Sequence, residues 1–350
     1  MRPTSISVIV INYNNAPFIT SALDSVLQQD YPSLEIIFCD DASTDESVQI
    51  ASSYPFPIRI VSHDYNIGPL RNCLSGIRVA KNELLFFLDS DDIWQPGKVH
   101  SVVDIFNRNK EVGLVSHSHV HVDSHNNPLP IRDATHRNIA RLLSRCGSIK
   151  QRSSAFRHSI IYRKGGFWLG SAYAFRRELL CLKTLTSHID LISSSRYAYP
   201  DLVLAPYILA CHPNAIVGFI DSPFLRYRRH SSSSSSASHS PAQKIANLKK
   251  LACTNDCTLS LLLCLDLTSS FRLSLERRYQ VLSTEYDYLI ELYSGHLFKS
   301  FILFILLLNF FVSERSFLKE LVRFLTVAVF GSRSLLNLQY DFARRRGTTT

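Results

Sequence analysis

The densest chemical signal in this chain is a run of large apolar residues, Leu84 to Leu88, that ends in Asp89-Ser90-Asp91-Asp92. Carboxylates this close repel one another unless a cation or a shared proton holds them. The least costly solution is a divalent metal bound by hard oxygen ligands. The end of the run is therefore a candidate Mg²⁺ or Mn²⁺ site, the two ions sharing oxygen ligands and octahedral geometry. A second cluster of the same form lies upstream, where Asp40-Asp41-Ala42-Ser43-Thr44-Asp45 follows the strand-like Glu35–Cys39.

The flanking residues predict the elements that place these clusters. Ser5 to Ile11 reads as a β-branched strand, and 35–39 and 84–88 as two more, while 16–29, 46–53 and 70–81 carry helical periodicity. Alternating β and α elements predict a mainly parallel α/β sheet with right-handed crossovers. Ligands of such sheets sit beyond the carboxyl ends of the strands, where strand order reverses, and both clusters fall at such ends. A dinucleotide would need glycines after the first strand, so that the backbone can approach the pyrophosphate. Here Asn12-Tyr13-Asn14-Asn15 follows, and the first glycine of the chain is Gly68. Rossmann and P-loop chemistry are thereby disfavoured, and a metal must neutralise any phosphate.

Three segments, in this order and spacing, resemble one family. Ser7-Val8-Ile9-Val10-Ile11-Asn12-Tyr13-Asn14 is similar to the opening strand of the family-two inverting glycosyltransferases of GT-A fold. Asp40 to Asp45 is similar to their second-strand turn, and Leu88-Asp89-Ser90-Asp91-Asp92-Ile93-Trp94 to their metal-binding signature. The resemblance is close over about the first hundred residues and thins after Val122. It returns at Gly170 to Leu179, at Tyr199-Pro200-Asp201 and at Asp221 to His230. It implies a nucleotide diphosphate sugar as donor, with Asp41 at the nucleobase edge and Asp40 and Asn12 framing the nucleoside. Asp89 and Asp91 would be the Asp-x-Asp pair, one near the ribose and the other on a Mg²⁺ or Mn²⁺ bridging the phosphates, with Asp92 orienting a water on that metal. The chemistry is coherent, because a departing diphosphate accumulates charge that a Lewis acid stabilises.

Inversion requires a base opposite the leaving group, to take the proton of the attacking hydroxyl. The resemblance places it at Asp201. Similar enzymes carry an acidic pair here, and this chain has Pro200-Asp201 where Glu-Asp is commoner. The alternative role for Asp201 is to cap the helix expected over 202–210. Arg228 and His230 match a Tyr-Arg-x-His ending that closes over the donor diphosphate, for which guanidinium and imidazole are suited. The alternative is a solvated basic loop.

Other features are less specific. Segment 132–164 holds nine Lys or Arg against the single acid Asp133, which suits an anionic acceptor, an anionic lipid surface or an unpartnered loop. No interleaved aromatic motif accompanies it, so nucleic acid is not expected as a partner. His117, His119 and His121 alternate along the expected strand 112–122 and would share one face, as a hydrogen-bonded or solvated stripe more readily than a zinc site. Gly165 to Ser171 resembles the turn before an acceptor-side helix continuing through Glu178, and Trp168 there would stack on a sugar ring or fill the core. The eight cysteines show no paired framework, which points to a reducing cytosol. Nothing at the N-terminus resembles a signal peptide, since a strand begins at Ser5.

The chain is 46% hydrophobic and only 19% charged, and the apolar excess lies late in the sequence. The serine run 231–241 reads as a linker between the catalytic part and a helical C-terminal module. Helices are expected over 242–251, 259–267 and 271–294. The apolar stretch 301–312 rises only ~18 Å against a bilayer core of ~30 Å, too little for one span. With 317–330 and the basic Arg344-Arg345-Arg346, it fits a helix pair in a membrane interface, or a hairpin packed on the catalytic part.

The expected organisation is thus a nucleotide-sugar half (1–122), an acceptor and base half (123–230), the linker (231–241) and a helical module (242–350). The expected activity is inverting hexosyl transfer to a sugar or lipid-linked glycan acceptor, in cell-surface polysaccharide, lipopolysaccharide or glycolipid synthesis. The expected location is the cytoplasm, peripheral on the inner face of the membrane. The alternative is a catalytically silent sugar-nucleotide-binding or scaffold protein.

Overall fold

The computed structural model describes residues 3–131, 169–230, 240–312 and 316–337, and the backbone of 149–152, 313 and 338–345. Their contacts divide the chain into two units, Met1–Pro128 with Arg132–Arg228, and Leu129–Ile131 with Arg229–Thr350.

The first unit is built on a mixed sheet. Its strands are β1 (Ile6–Asn12), β2 (Leu34–Asp40), β3 (Ile58–Ser62), β4 (Leu84–Asp89), β5 (Ile93–Trp94), β6 (Val112–Val122), β7 (Pro128–Leu129), β8 (Ile149–Arg152), β9 (Tyr173–Arg176) and β10 (Ile216–Arg228). The spatial order is β3-β2-β1-β4-β9-β6-β10-β5, with β8 also on β10. Strands β1 to β4 run parallel, and β6 is parallel to β10. Strand β9 lies antiparallel between β4 and β6 and joins the two parallel groups.

Helices α1 (Ala16–Leu27), α2 (Ser47–Ser52), α3 (Pro69–Val79) and α4 (Lys98–Arg108) alternate with these strands. In α1 the buried residues Ile19, Ala22, Leu23 and Val26 recur at helical spacing, and Val99, Val102, Val103 and Phe106 repeat the pattern in α4. Strands β1 and β4 are sealed on both faces, which is why they read as unbroken apolar runs. The register sets Asn12 beside Asp40 and Ile11 beside Asp89, so the acidic residues meet along one carboxyl edge.

Two expectations change, and one strand lies where none was expected. The segment through Glu178, expected as an acceptor-side helix, is strand β9 up to Arg176. Its backbone pairs with strands on both sides, and Tyr173 and Phe175 stack on Phe87 with ring centroids 4.9 and 5.1 Å away. Such pairs contribute ~0.5–1.5 kcal/mol each beyond their burial. Strand β3 has only partly buried or exposed residues, so its sequence lacked a core signature. In the second unit the two expected helices over 242–267 are one, α7 (Pro241–Leu263). The polar break at 254–258 is buried except for Asp256: Thr254 and Thr258 donate to carbonyls one turn back and Asn255 donates to Tyr279 O.

Two further helices of the first unit are α5 (Leu182–Leu191) and α6 (Pro200–Cys211). The second unit continues with α8 (Ser269–Tyr293), α9 (Leu297–Leu306), α10 (Leu308–Ser313) and α11 (Phe317–Arg345), the last broken at Gly331, whose φ is 79°. Tyr288, Leu292, Phe304, Phe311 and Val327 centre its core. Among the described residues no helix is long and apolar enough to cross a membrane.

Candidate active site

The first acidic turn is closed by its own hydrogen bonds. Asp40 Oδ1 accepts from Asn12 Nδ2 at 2.7 Å and from Ser43 Oγ at 2.6 Å, and its Oδ2 accepts the Ser43 N–H at 2.8 Å. These bonds hold Ala42 in the left-handed region, at φ 60°. Asn12 Oδ1 accepts from Ser90 Oγ at 2.6 Å, which carries the network from β2 through β1 to the turn after β4. Asp41 is buried, and its two oxygens accept the N–H groups of Ile67 and Gly68 at 2.7 and 3.0 Å. Burial raises its pKa against the lowering effect of those two bonds. Gly68 is required there, since it has φ +93° and a Cβ would lie 1.7 Å from Arg196 O.

The second turn is less enclosed. Asp89 and Asp91 are only partly buried, whereas Asp92 is wholly enclosed. Burial, the Asp91 charge and the Asp201 charge together push Asp89 well above the usual carboxylate range. Asp92 was expected to orient a water on the metal. Instead its Oδ2 accepts from Ser171 Oγ at 2.6 Å and its Oδ1 accepts the Arg228 N–H at 2.9 Å, so it braces the turn from inside.

Asp201 stands at the start of α6, one residue after Pro200, whose missing N–H is one the first turn leaves unpaired in any case. The helix start thus accounts for proline where an acid is commoner. The Asp201 carboxylate accepts the backbone N–H groups of Gly170 and Leu202, and burial outweighs these bonds and lifts its pKa to about 6. A Cβ on Gly170 would meet Asp89 Oδ2 at 2.6 Å. Gly170 therefore bonds Asp201 through its backbone and leaves the space beside Asp89 that a side chain would fill.

The remaining expected residues fall as follows. Arg228, expected on the donor phosphates, uses its guanidinium within the protein: Nε donates to Asp91 O at 2.7 Å, Nη1 to Ser124 O at 2.9 Å and Nη2 to Ser21 Oγ at 3.3 Å. It holds the backbone of the Asp91 turn, a correction to its expected part. His230 lies beyond β10, partly buried, and its contacts assign it to the second unit. Trp168 and most of the basic segment 132–164 lie outside the described residues. His117, His119 and His121 do share a face but are buried, packed edge-on against Phe224 and Tyr227, so the stripe is neither solvated nor exposed. Among the described residues no group of three or more His, Cys, Asp or Glu side chains is placed to hold a metal, these histidines included.

Two contributors escaped the sequence. Ser171 Oγ accepts the Asp89 N–H at 2.8 Å while donating to Asp92, and Ser171 O accepts from Trp94 Nε1 at 3.2 Å and from Lys98 Nζ at 2.5 Å. Lys98 is fully buried and lies 3.9 Å over the Trp94 ring, and burial drives its pKa well below that of a free lysine, against the pull of Asp92. The available signal was a lysine on the apolar face of α4, four residues before Val102 and eight before Phe106.

The donor set of this turn, the two carboxylates of Asp89 and Asp91 with oxygen atoms only, suits a hard divalent cation, which would oppose the burial and like charge that raise the Asp89 pKa.

Residues 7–177 match the family described as "Glycosyl transferase family 2". An uncharacterized glycosyltransferase of Nostoc sp. is 31% identical over 50% of this chain and 52% of its own length. The Escherichia coli enzyme WfaP, a UDP-Glc:alpha-D-GlcNAc-diphosphoundecaprenol beta-1,3-glucosyltransferase, is 31% identical over 34% of this chain and 47% of its own. The chain thus spans about half the length of these curated relatives. Among solved structures, S. aureus TarS 1-349 in complex with UDP-GlcNAc aligns over 86% of this chain and 89% of that one, with TM-score 0.53 and 16% identity. Mannosyltransferase PcManGT from Pyrobaculum calidifontis, in complex with GDP-Man and Mn²⁺, aligns over 95% and 88%, with TM-score 0.52 and 18% identity.

Proposed function

We propose that this chain, whose residues 7–177 match glycosyl transferase family 2, is a member of that family and transfers a hexose from a nucleotide diphosphate sugar to an acceptor hydroxyl with inversion. Its fold is of the GT-A type. The observation that carries the proposal is the convergence of Asp89 and Asp201 on Gly170. A base whose pKa is near 6 is ionised at neutral pH and still basic enough to take a proton. Asp201 would receive the acceptor proton as the hydroxyl oxygen bonds to the anomeric carbon, while the bond from that carbon to the diphosphate breaks on the opposite face. Asp89 and Asp91 would hold Mg²⁺ or Mn²⁺, which when bound would offset the charge on the departing diphosphate. Asp41, Asn12 and the Asp40 turn would form the nucleoside wall, and Trp168 the acceptor side. Asp92, Ser171, Lys98 and Arg228 would keep the carboxylate turn in place.

The acceptor is proposed to be a lipid-linked glycan at the inner face of the cytoplasmic membrane, in cell-envelope polysaccharide or glycolipid synthesis. The diphosphoundecaprenol acceptor named for WfaP and the basic stretch 132–164 support this reading. The test is thermal denaturation with UDP, GDP, dTDP and CDP sugars, each with Mn²⁺ or with EDTA, on wild type and Asp91→Ala. A donor at a hundred times its Kd stabilises by ~2.7 kcal/mol. One nucleotide class should raise the Tm only with metal, and only in wild type. Folded wild-type protein that responds to no donor would overturn the assignment.

A further inference from the structure

Among the described residues sixteen large apolar side chains are exposed, and ten of them lie on α9 and the first half of α11. On α9 they are Phe298, Phe301, Ile302, Ile305 and Leu306, at offsets of three, four, seven and eight residues, which is one face of a helix. On α11 they are Leu318, Val322, Leu325, Val329 and Phe330, again one face. Their exposure runs from 44% at Ile302 to 80% at Phe298, so neither stripe is covered by the second unit itself. The opposite faces are used: both helices pack on α8, and Phe304 sits 6.0 Å from the Tyr288 ring. Phe301 lies 5.9 Å from Phe324, so the two helices touch side by side. An unpartnered apolar face of this extent marks an interaction surface.

Length and charge identify what covers it. The α9 helix of 10 residues rises ~15 Å, and α11 as far as the break at Gly331 rises ~21 Å, against ~30 Å of bilayer hydrocarbon. Neither can span, but each can lie in the plane. From Leu297 to the last residue the chain holds eight Lys or Arg against three acids. Lys299 and Lys319 are 66% and 70% exposed beside the stripes, paired with Glu291 and, at 3.7 Å, with Glu320, and their long stems would let the ammonium groups turn to headgroups at a membrane surface. A second copy docked through this face would bring two basic rims together, whereas an anionic bilayer complements them. We propose that α9 and the first half of α11 insert side by side into the headgroup and acyl boundary of an anionic membrane, without crossing it. This gives a surface to the membrane location proposed above, and its test reads lipid binding without reading transfer.

The experiment is co-sedimentation of the full chain with phosphatidylglycerol/phosphatidylethanolamine vesicles and with phosphatidylcholine vesicles. Wild type should pellet with the anionic vesicles and more weakly with the neutral ones. The variant Phe298→Gln/Leu318→Gln/Phe330→Gln should partition at least ~10-fold more weakly, three large apolar contacts being removed. A second variant, Phe298→Trp, guards against misfolding. Its added indole emission should move to the blue with anionic vesicles and be quenched by brominated acyl chains. Wild type that stays in the supernatant, a triple variant that binds equally, or an indole emission of Phe298→Trp unmoved by vesicles would each overturn the proposal. So would a lipid-free dimer that the triple variant dissociates while neither protein pellets, which would make the face an interface between copies.

Discussion

The turns after β2 and β4 flank the same central strand and carry the same kind of residue, yet their carboxylates are spent differently. Asp40 and Asp41 accept five hydrogen bonds from Asn12, Ser43, Ile67 and Gly68. Those bonds fix a wall. In the second turn Asp92 is spent in the same internal way, on Ser171 and Arg228, while Asp89 is left beside two like charges with its pKa raised. The acidic residues of the two turns thus fall into two kinds: Asp40, Asp41 and Asp92 are held by hydrogen bonds within the protein, whereas Asp89 is crowded by like charge, the position in which the proposed cation would act.

The sharpest way to break that contrast lies across from the second turn. Asp201→Asn should lower kcat by ~10²–10⁴-fold with donor binding retained. The wild-type kcat/KM should rise with pH through about 6, the pKa that burial gives Asp201, and level off above it. The residual rate of the variant should lack that limb. The sign for stability is opposite. A carboxyl whose folded pKa exceeds its unfolded value loses stability as pH rises between the two, so Asp201→Asn should melt no lower than wild type at pH 8. A variant that is both slow and unstable would make Asp201 a helix-capping residue.

Next in size, Asp91→Ala should cost on the order of 10²–10³-fold in turnover and remove the metal dependence of donor binding. It also removes a like charge beside Asp89, so the Asp89 pKa should fall in the metal-free variant, read by NMR titration of the carboxyl. If Asp91→Ala instead destabilises the metal-free protein, the second turn is as structural as the first.

What the sequence could reveal here follows from which forces are local. Strands β1 and β4 are buried on both faces and so appear as continuous apolar runs, and the acids that end them are visible by contrast. Strand β9 was misread as a helix because its four residues are extended only through pairing with β4 and β6, partners distant in sequence. The same holds for the support of the site. Ser171 reaches Asp92 across 79 positions, and Arg228 reaches Asp91 across 137. Arg228 was found by its motif but given the wrong partner, since a guanidinium suits phosphate and backbone carbonyl alike. On the helical module α9 is legible only as part of the apolar run 301–312, and the packing on α8 shows which face is left over.

The smallest effect on chemistry, and the one that probes the first turn itself, belongs to Asp40→Ala. The substitution strips the acceptor from Asn12 Nδ2, Ser43 Oγ and the Ser43 N–H, all at a residue that is only 1% exposed. Leaving buried donors unsatisfied should destabilise by roughly 2–4 kcal/mol, read as a lower urea midpoint with an unchanged m-value. Turnover per folded molecule, measured well below the new midpoint, should remain within about threefold, because no group on the reacting atoms changes. Asp40→Asn keeps one acceptor and should recover part of the loss. If Asp40→Ala leaves the midpoint alone and lowers turnover instead, the carboxylate acts on the donor directly, and the division between a saturated wall and an open turn fails at its first member.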